Sequence, residues 1–183
     1  MDHRVPVVSA ADREVGDAPR LRAAPDVRSP LGACPMTTAR AVTLRGAGPE
    51  DAAFLFRLRT DPVTAAMSFG PVPTAEGHAV WLHDTLANPE RRLWIAEDGE
   101  TPVGVVRLDR VATTAATVNI TVAPEARRMG VGTAMLAAID AAAPVWGVTH
   151  LVAEILPTNE ASQRLFAQAG YTRTRPGVWE KGR

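Results

Sequence analysis

Ile120-Thr121-Val122-Ala123-Pro124-Glu125-Ala126-Arg127-Arg128-Met129-Gly130-Val131-Gly132-Thr133-Ala134-Met135 changes its backbone habit twice within a short span. Just before and into it, polar Thr117, Asn119 and Thr121 alternate with apolar Val118, Ile120 and Val122, the period-two pattern of a strand with one buried face. Pro124 cannot donate to a ladder and ends that strand. Val131 to Ala143 then reads as a helix that Pro144 stops. Between the two lies Arg-x-x-Gly-x-Gly. A helix begins with backbone N–H groups that have no carbonyl partner, and its dipole adds partial positive charge there. Gly130 and Gly132 lack a Cβ, so an anion can approach those amides closely, and Arg127 and Arg128 can add charge-assisted bonds. By itself Gly-x-Gly also serves as a tight turn packing a helix on a strand. Read as an anion site, the loop has a pyrophosphate as its predicted ligand end. Two common pyrophosphate readers are excluded. The dinucleotide fingerprint needs a glycine where Met135 stands, and no Gly-Lys-Ser/Thr sequence exists.

Outward from this unit the punctuation is regular. Ala41 to Arg45 reads as a strand, and Gly48-Pro49 opens a helix with Asp51, Phe54, Leu55 and Leu58 at helical spacing, which Asp61-Pro62 is expected to stop. Thr74 caps a second helix ended by Asn88-Pro89, with Ala75, Ala79, Leu82 and Leu86 as its expected buried stripe. His78, Trp81 and Thr85 lie beside that stripe. Leu93 to Glu97 and Val103 to Asp109 form strands around an Asp98-Gly99 turn. On the far side of the loop come a strand from Thr149 to Leu156, a helix from Asn159 to Ala169 stopped by Gly170, and a hairpin from Tyr171 to Glu180. Seven strands and four helices joined by short links, without a repeat, predict an α/β or α+β fold around one sheet.

Composition sets the frame. The 183 residues carry 20 Lys+Arg and 20 Asp+Glu, so the basic excess of a nucleic-acid binder is absent. Residues 1–38 hold five of the 15 prolines and no aromatic, whereas all aromatics lie from Phe54 onward. That leader is expected to be disordered, or to precede a true start at Met36, with one domain over 39–183. The lone Cys34 has no partner for a disulfide or zinc site, and neither a membrane span nor a secretory block is legible, so the expectation is a cytoplasmic protein without a metal. His78 and His83 do not form a metal pair, being separated by about 140° around a helix.

Val122-x-Pro124-x-x-Arg127-x-x-Gly130-x-Gly132 resembles the acetyl-CoA signature of the GCN5-related N-acetyltransferases (GNAT). Asn159-Glu-Ala-Ser162-Gln-Arg-Leu165-Phe166-Ala-Gln-Ala-Gly170-Tyr171 resembles their second cofactor motif. The resemblance implies a single mixed, mostly antiparallel sheet with acetyl-CoA as acyl donor. It also implies that the loop from Arg127 through Val131 to Thr133 binds the pyrophosphate, that the backbone from Ile120 to Val122 pairs with the pantetheine arm, that Asn159, Ser162 and Phe166 contact the cofactor, and that two splayed central strands bring Asn119 and Glu154 near the reacting centre.

Acetyl transfer to an amine needs a base for the ammonium, a donor to the oxyanion and a proton for the leaving thiolate. Glu154 is the first candidate base and Asp109 the second; a backbone N–H near Val122 would hold the oxyanion. Phe166 stands where many members of the family carry a Tyr, so Tyr171, Ser162 or water is expected to supply the proton. The segments around Leu58-Arg59-Thr60-Asp61-Pro62, Ser68-Phe69, His78-x-x-Trp81 and Arg107-Leu108-Asp109 resemble in part the branch, of the pseudaminic acid type, that acetylates amino groups on nucleotide-linked sugars. Arg59, Ser68, Phe69, His78 and Trp81 are therefore the expected acceptor residues, with a small-molecule amine as partner. Two readings compete: a protein N-terminal or lysine acetyltransferase, and an acetyl-CoA-binding sensor without turnover. The last hairpin is the expected edge should the chain form a homodimer.

Overall fold

The computed structural model describes residues 42–182; the leader, Cys34 and Met36 lie outside the described residues. One seven-stranded sheet runs in the order β1-β2-β3-β4-β5-β7-β6, comprising β1 (Thr43–Gly46), β2 (Arg91–Asp98), β3 (Thr101–Ala112), β4 (Ala115–Val122), β5 (His150–Glu154), β6 (Thr172–Arg175) and β7 (Val178–Gly182). All neighbours are antiparallel except β4 and β5, which run parallel. The helices are α1 (Ala52–Thr60), α2 (Pro62–Ala66), α3 (Ala75–Ala87), α4 (Val131–Ala142) and α5 (Glu160–Gln168). The mixed, mostly antiparallel sheet matches the expectation.

Among the described residues there are five α-helices where about four were expected, because Asp61-Pro62 restarts the chain instead of ending it. Pro62 sits in the first turn of α2, where its missing N–H costs nothing. The Asp61 carboxylate accepts from Thr64 N at 2.9 Å and caps the new helix. A second correction concerns α3. Ala75, Ala79 and Leu86 face solvent, whereas His78, Leu82 and Thr85 are buried. The helix turns that way because Phe56, Trp81 and the Arg91 side chain cover the two polar residues: His78 lies 5.4 Å from the Phe56 ring and 5.0 Å from the Trp81 ring, and Thr85 Oγ1 accepts from Arg91 at 3.3 Å.

Alternation assigns the two sheet faces. Leu93, Ile95, Val105, Arg107, Asn119 and Thr121 share one face, over whose β2–β3 side Leu55 of α1 and Leu82 of α3 pack. Leu108, Val118, Leu151 and Ala153 point the other way, into a core closed by Met135, Leu136 and Ile139 of α4 and Phe166 of α5. Gly104 of β3 lets α4 settle onto this face: a Cβ there would lie 2.7 Å from the Thr121 carbonyl oxygen and 2.9 Å from Met135 Sδ. Gly104→Val is therefore expected to destabilise the fold by about 2–3 kcal/mol, read as a lower urea midpoint with the m-value retained.

The feature that positions the site is where pairing stops. β4 bonds to β5 only from Ala115 to Thr117, against His150 to Val152. Beyond Thr117 the two strands part, and residues 118–122 turn one backbone edge to an open wedge. At the sheet's outer edge, β6 is exposed along its whole length and carries Arg173, Arg175 and a register shift, features that discourage addition of another strand.

Candidate active site

The wedge widens into a cleft of about 510 Å³ between β4, the start of α4 and the start of α5. Ten of the eleven residues expected at the cofactor line it, from Ile120 and Val122 through the Arg127–Thr133 loop to Asn159 and Ser162. Gly130 caps α4 at φ 78°, and Arg128 lies in the same left-handed region at φ 63°. Backbone that alternates handedness in this way converges successive N–H groups into an anion-binding concavity at a helix start. Gly132 serves differently. A Cβ there would sit 2.9 Å from Leu165 Cδ2 and 3.6 Å from Val122 Cγ2, so this glycine keeps the cleft floor open between β4 and α5. On the far wall Asn159 Oδ1 accepts from Ser162 N at 3.1 Å and caps α5. Phe166, the eleventh residue, is corrected: it is buried against Tyr171, ring centroids 4.9 Å apart, and Leu165 takes the wall position.

Arg127 is already engaged. Its Nη2 donates to Asp61 Oδ2 and, at 3.0 Å, to Thr64 Oγ1, tying the loop to the start of α2. The Arg127 hydrogen bond, followed by the Thr64 N–H, holds the Asp61 carboxyl below the usual carboxylate range. Arg128 is exposed, and a side chain in left-handed backbone costs about 1–2 kcal/mol. Arg128→Gly is expected to raise stability by up to about 1 kcal/mol while weakening the loop's hold on an anion such as inorganic pyrophosphate through loss of its charge, a trade visible as a higher melting temperature with a smaller calorimetric affinity.

A second cavity, of about 260 Å³, adjoins the cleft under α1 and α3. Its lining includes Leu55, Arg59, His78, Trp81, Arg107 and Asn119. Thr121 lines both spaces, so they meet at that residue on β4. Three of the five expected acceptor residues, Arg59, His78 and Trp81, gather here. Ser68 lies instead on the larger cleft, and Phe69 is 58% exposed and lines neither space. Arg59 reaches back from the end of α1 to donate from Nη2 to the Phe69, Gly70 and Pro71 carbonyls, the last at 2.7 Å, and so pins the loop that rims the pocket.

His78 is 5% exposed and turned inward beside Trp81. Its ring nitrogens have no hydrogen-bond partner among the described residues. Burial, with the nearby Arg59 cation, pushes its pKa below the ordinary histidine value, so the neutral base is favoured. The carboxylates that the sequence suggested are elsewhere. Asp109 is held by Arg107 Nε at 2.9 Å and Arg91 Nε at 3.3 Å, and Glu154 is exposed at the end of β5; neither lines either space. Tyr171 likewise lines neither, its ring packed in the core where Lys181 Nζ approaches within 5.6 Å of the centroid. Arg107 and Thr121 went unselected in the sequence because their importance comes from strand register, although the alternation around Asn119 already put Thr121 on the same face.

Among the described residues no three His, Cys, Asp or Glu side chains are grouped to hold a metal ion, and no helix is long and apolar enough to cross a membrane. No curated protein matches the chain by sequence. Solved structures share its fold. Aminoglycoside acetyltransferase AAC(6')-Ib in complex with coenzyme A and kanamycin is 19% identical with a TM-score of 0.68, covering 78% of this chain and 95% of that one. Spermidine N-acetyltransferase from Vibrio cholerae in complex with CoA and spermine is 16% identical with a TM-score of 0.68, covering 76% and 92%. The GNAT domain of S. lividans PAT is 26% identical with a TM-score of 0.66, covering 78% and 90%. The family model for the acetyltransferase (GNAT) family spans residues 54–171, which contain the parted strands, the glycine loop and both cavities' principal walls, and the chain belongs to that family.

Proposed function

We propose that this protein is an acetyl-CoA-dependent N-acetyltransferase acting on the amine of a small molecule, by direct attack within a ternary complex. The observation that carries the reading is the meeting, at Thr121, of a cleft suited to a pyrophosphate and an extended arm with a small pocket suited to an acceptor. Acetyl-CoA would supply the acetyl group in activated thioester form. The amides at the start of α4, with Arg128 beside them, would hold its pyrophosphate. The unpaired edge of β4 from Val118 to Val122 would bond to the pantetheine arm as a strand bonds to its neighbour, and a β4 N–H near Val122 would donate to the oxyanion. Neutral His78 would take the ammonium proton, directly or through a water, because it is the titratable base that lines the acceptor pocket and the lining of neither space includes a carboxylate. With Phe166 lacking a hydroxyl and Tyr171 in the core, the leaving thiolate would be protonated by solvent or by Ser162 on the cleft wall.

The finer reading, an amino group on a nucleotide-linked sugar, draws support from two guanidiniums and Trp81 around one pocket. A space of about 260 Å³ holds the amine-bearing part of such a molecule and leaves the rest outside. Full-length protein titrated with coenzyme A by calorimetry is expected to give saturable heat, and mixing with acetyl-CoA and an amine panel is expected to release thiol above the hydrolytic background. Binding without thiol release from any amine would favour the sensor reading, and absence of binding would end the proposal.

A further inference from the structure

We infer that the acceptor is an amine that also carries an oxyanion, a carboxylate or a phosphate, and that Arg107 with Arg59 recognises that group; this rests on the N-acetyltransferase reading above. Arg107 lies on β3 opposite Asn119, one inward position along from the Val105–Thr121 pair. Its Nε donates to Asp109 at 2.9 Å, which fixes the guanidinium, while among the described residues no acceptor takes either Nη group. Trp81 borders it, with 5.8 Å from the guanidinium carbon to the ring centroid. Across the pocket, Arg59 spends Nη2 on loop carbonyls, and its Nη1 is buried with no hydrogen-bond partner among the described residues. Buried guanidinium N–H groups normally find acceptors, and one without marks a place where an acceptor belongs.

The charge balance points the same way. No residue lining the pocket is acidic. Asp109 is shared between Arg91 and Arg107, so this trio keeps a net positive charge beside the space. Two cations on a largely apolar lining are best compensated by an anion that enters with the ligand. Geometry limits the ligand's length. The amine must reach Thr121, two residues or about 7 Å along β4 from the partner of Arg107, so amine and acid are separated by no more than about that distance, as they are in an amino acid or aminoalkyl phosphate. The same cations disfavour the ammonium form of a bound amine and so raise the fraction able to attack. A polyamine has the opposite complementarity, since each further ammonium is repelled.

Matched pairs test this on the full chain with coenzyme A or acetyl-CoA bound: phenylalanine against phenethylamine, glutamate against 4-aminobutyrate, O-phosphoethanolamine against ethanolamine, and spermidine alone. In at least one pair, the member with the additional acid group is expected to bind by calorimetry, or to turn over by thiol release, about 10- to 100-fold better than its partner, the range of one or two charge-assisted hydrogen bonds. Which arm responds distinguishes carboxylate from phosphate. Arg107→Met is expected to collapse that ratio toward one, and Arg107→Lys to recover part of it, with coenzyme A heat certifying that each variant is folded. The inference is overturned if no pair discriminates, if spermidine is the preferred ligand, or if Arg107→Met leaves the ratio intact; in each case saturable coenzyme A binding keeps the broader reading alive. Lack of coenzyme A binding sinks both.

Discussion

Gly132→Val is expected to weaken coenzyme A binding by at least about 100-fold while leaving the protein folded. The two halves of that expectation have separate physical causes. On the protein side, a Cβ at 132 meets Leu165 Cδ2 at 2.9 Å, but that atom is the far end of a side chain on the cleft wall and can rotate away. The residue is in the first turn of α4 with ordinary helical backbone, so a fold penalty of about 1 kcal/mol, a few degrees in melting temperature, covers the crowding and lost helix propensity of valine. On the ligand side, the added methyls occupy the floor between Val122 and Leu165 and hold an anion away from the α4 amides. Losing two charge-assisted hydrogen bonds at about 1.5 kcal/mol each amounts to about 3 kcal/mol, hence the hundredfold figure. Calorimetry with coenzyme A reads it directly. Equal affinity in the parent and the variant would remove the α4 amides from the binding account. Gly130→Val is a useful contrast, because nothing lies within 4 Å of its Cβ position and its penalty is conformational, arising from φ 78°, so it should lose stability as well as affinity.

The strand, loop and helix around Gly130 were legible because each element carries a local signal: strict alternation, a strand-ending proline and glycines at a helix start. The same holds for the cap at Asn159. What was lost was information about which face turns inward. In α3 a count of apolar residues points to the wrong face, because Phe56 and Trp81 pack against His78 and draw that polar residue inward, leaving Ala75, Ala79 and Leu86 outside. Asp61-Pro62 read as a stop because a proline usually opposes the preceding helix, while its equally common place in the first turn of a new one depended on the Asp61–Thr64 cap. Arg107 becomes prominent only when β3 is registered against β4, a long-range fact with no local signature. Glu154 and Asp109 are carboxylates on strands that border the wedge or its neighbour, which is all that residue type and strand assignment convey. One strand end projects into solvent and the other carboxylate is neutralised by arginines, and neither condition is encoded by residue type.

If His78 removes the proton, His78→Gln should lower kcat by about 10²- to 10³-fold at neutral pH, with little change in coenzyme A affinity. Glutamine keeps the approximate size and polarity of the ring and cannot titrate, so the loss would be chemical. The pH dependence gives the sharper test. Burial first, and the Arg59 charge second, depress the pKa of His78 in the fold. Its base form therefore persists to lower pH than in an ordinary histidine, and the acid limb of kcat/KM in the parent should lie below about 6.5. His78→Gln should abolish that limb and leave only the titration of the acceptor amine. Stability carries a linked signature of defined sign. Above pH of about 6.5 the histidine is neutral in both folded and unfolded chains and its contribution is fully present; as pH falls through the unfolded value toward the depressed folded one, the unfolded chain binds the proton first and stability is lost. The variant lacks this loss, so the parent's urea midpoint should fall relative to the variant's between neutral pH and pH about 5. A variant that keeps its kcat and its acid limb would assign the proton to another acceptor, with Glu154 acting through water as the next residue to replace.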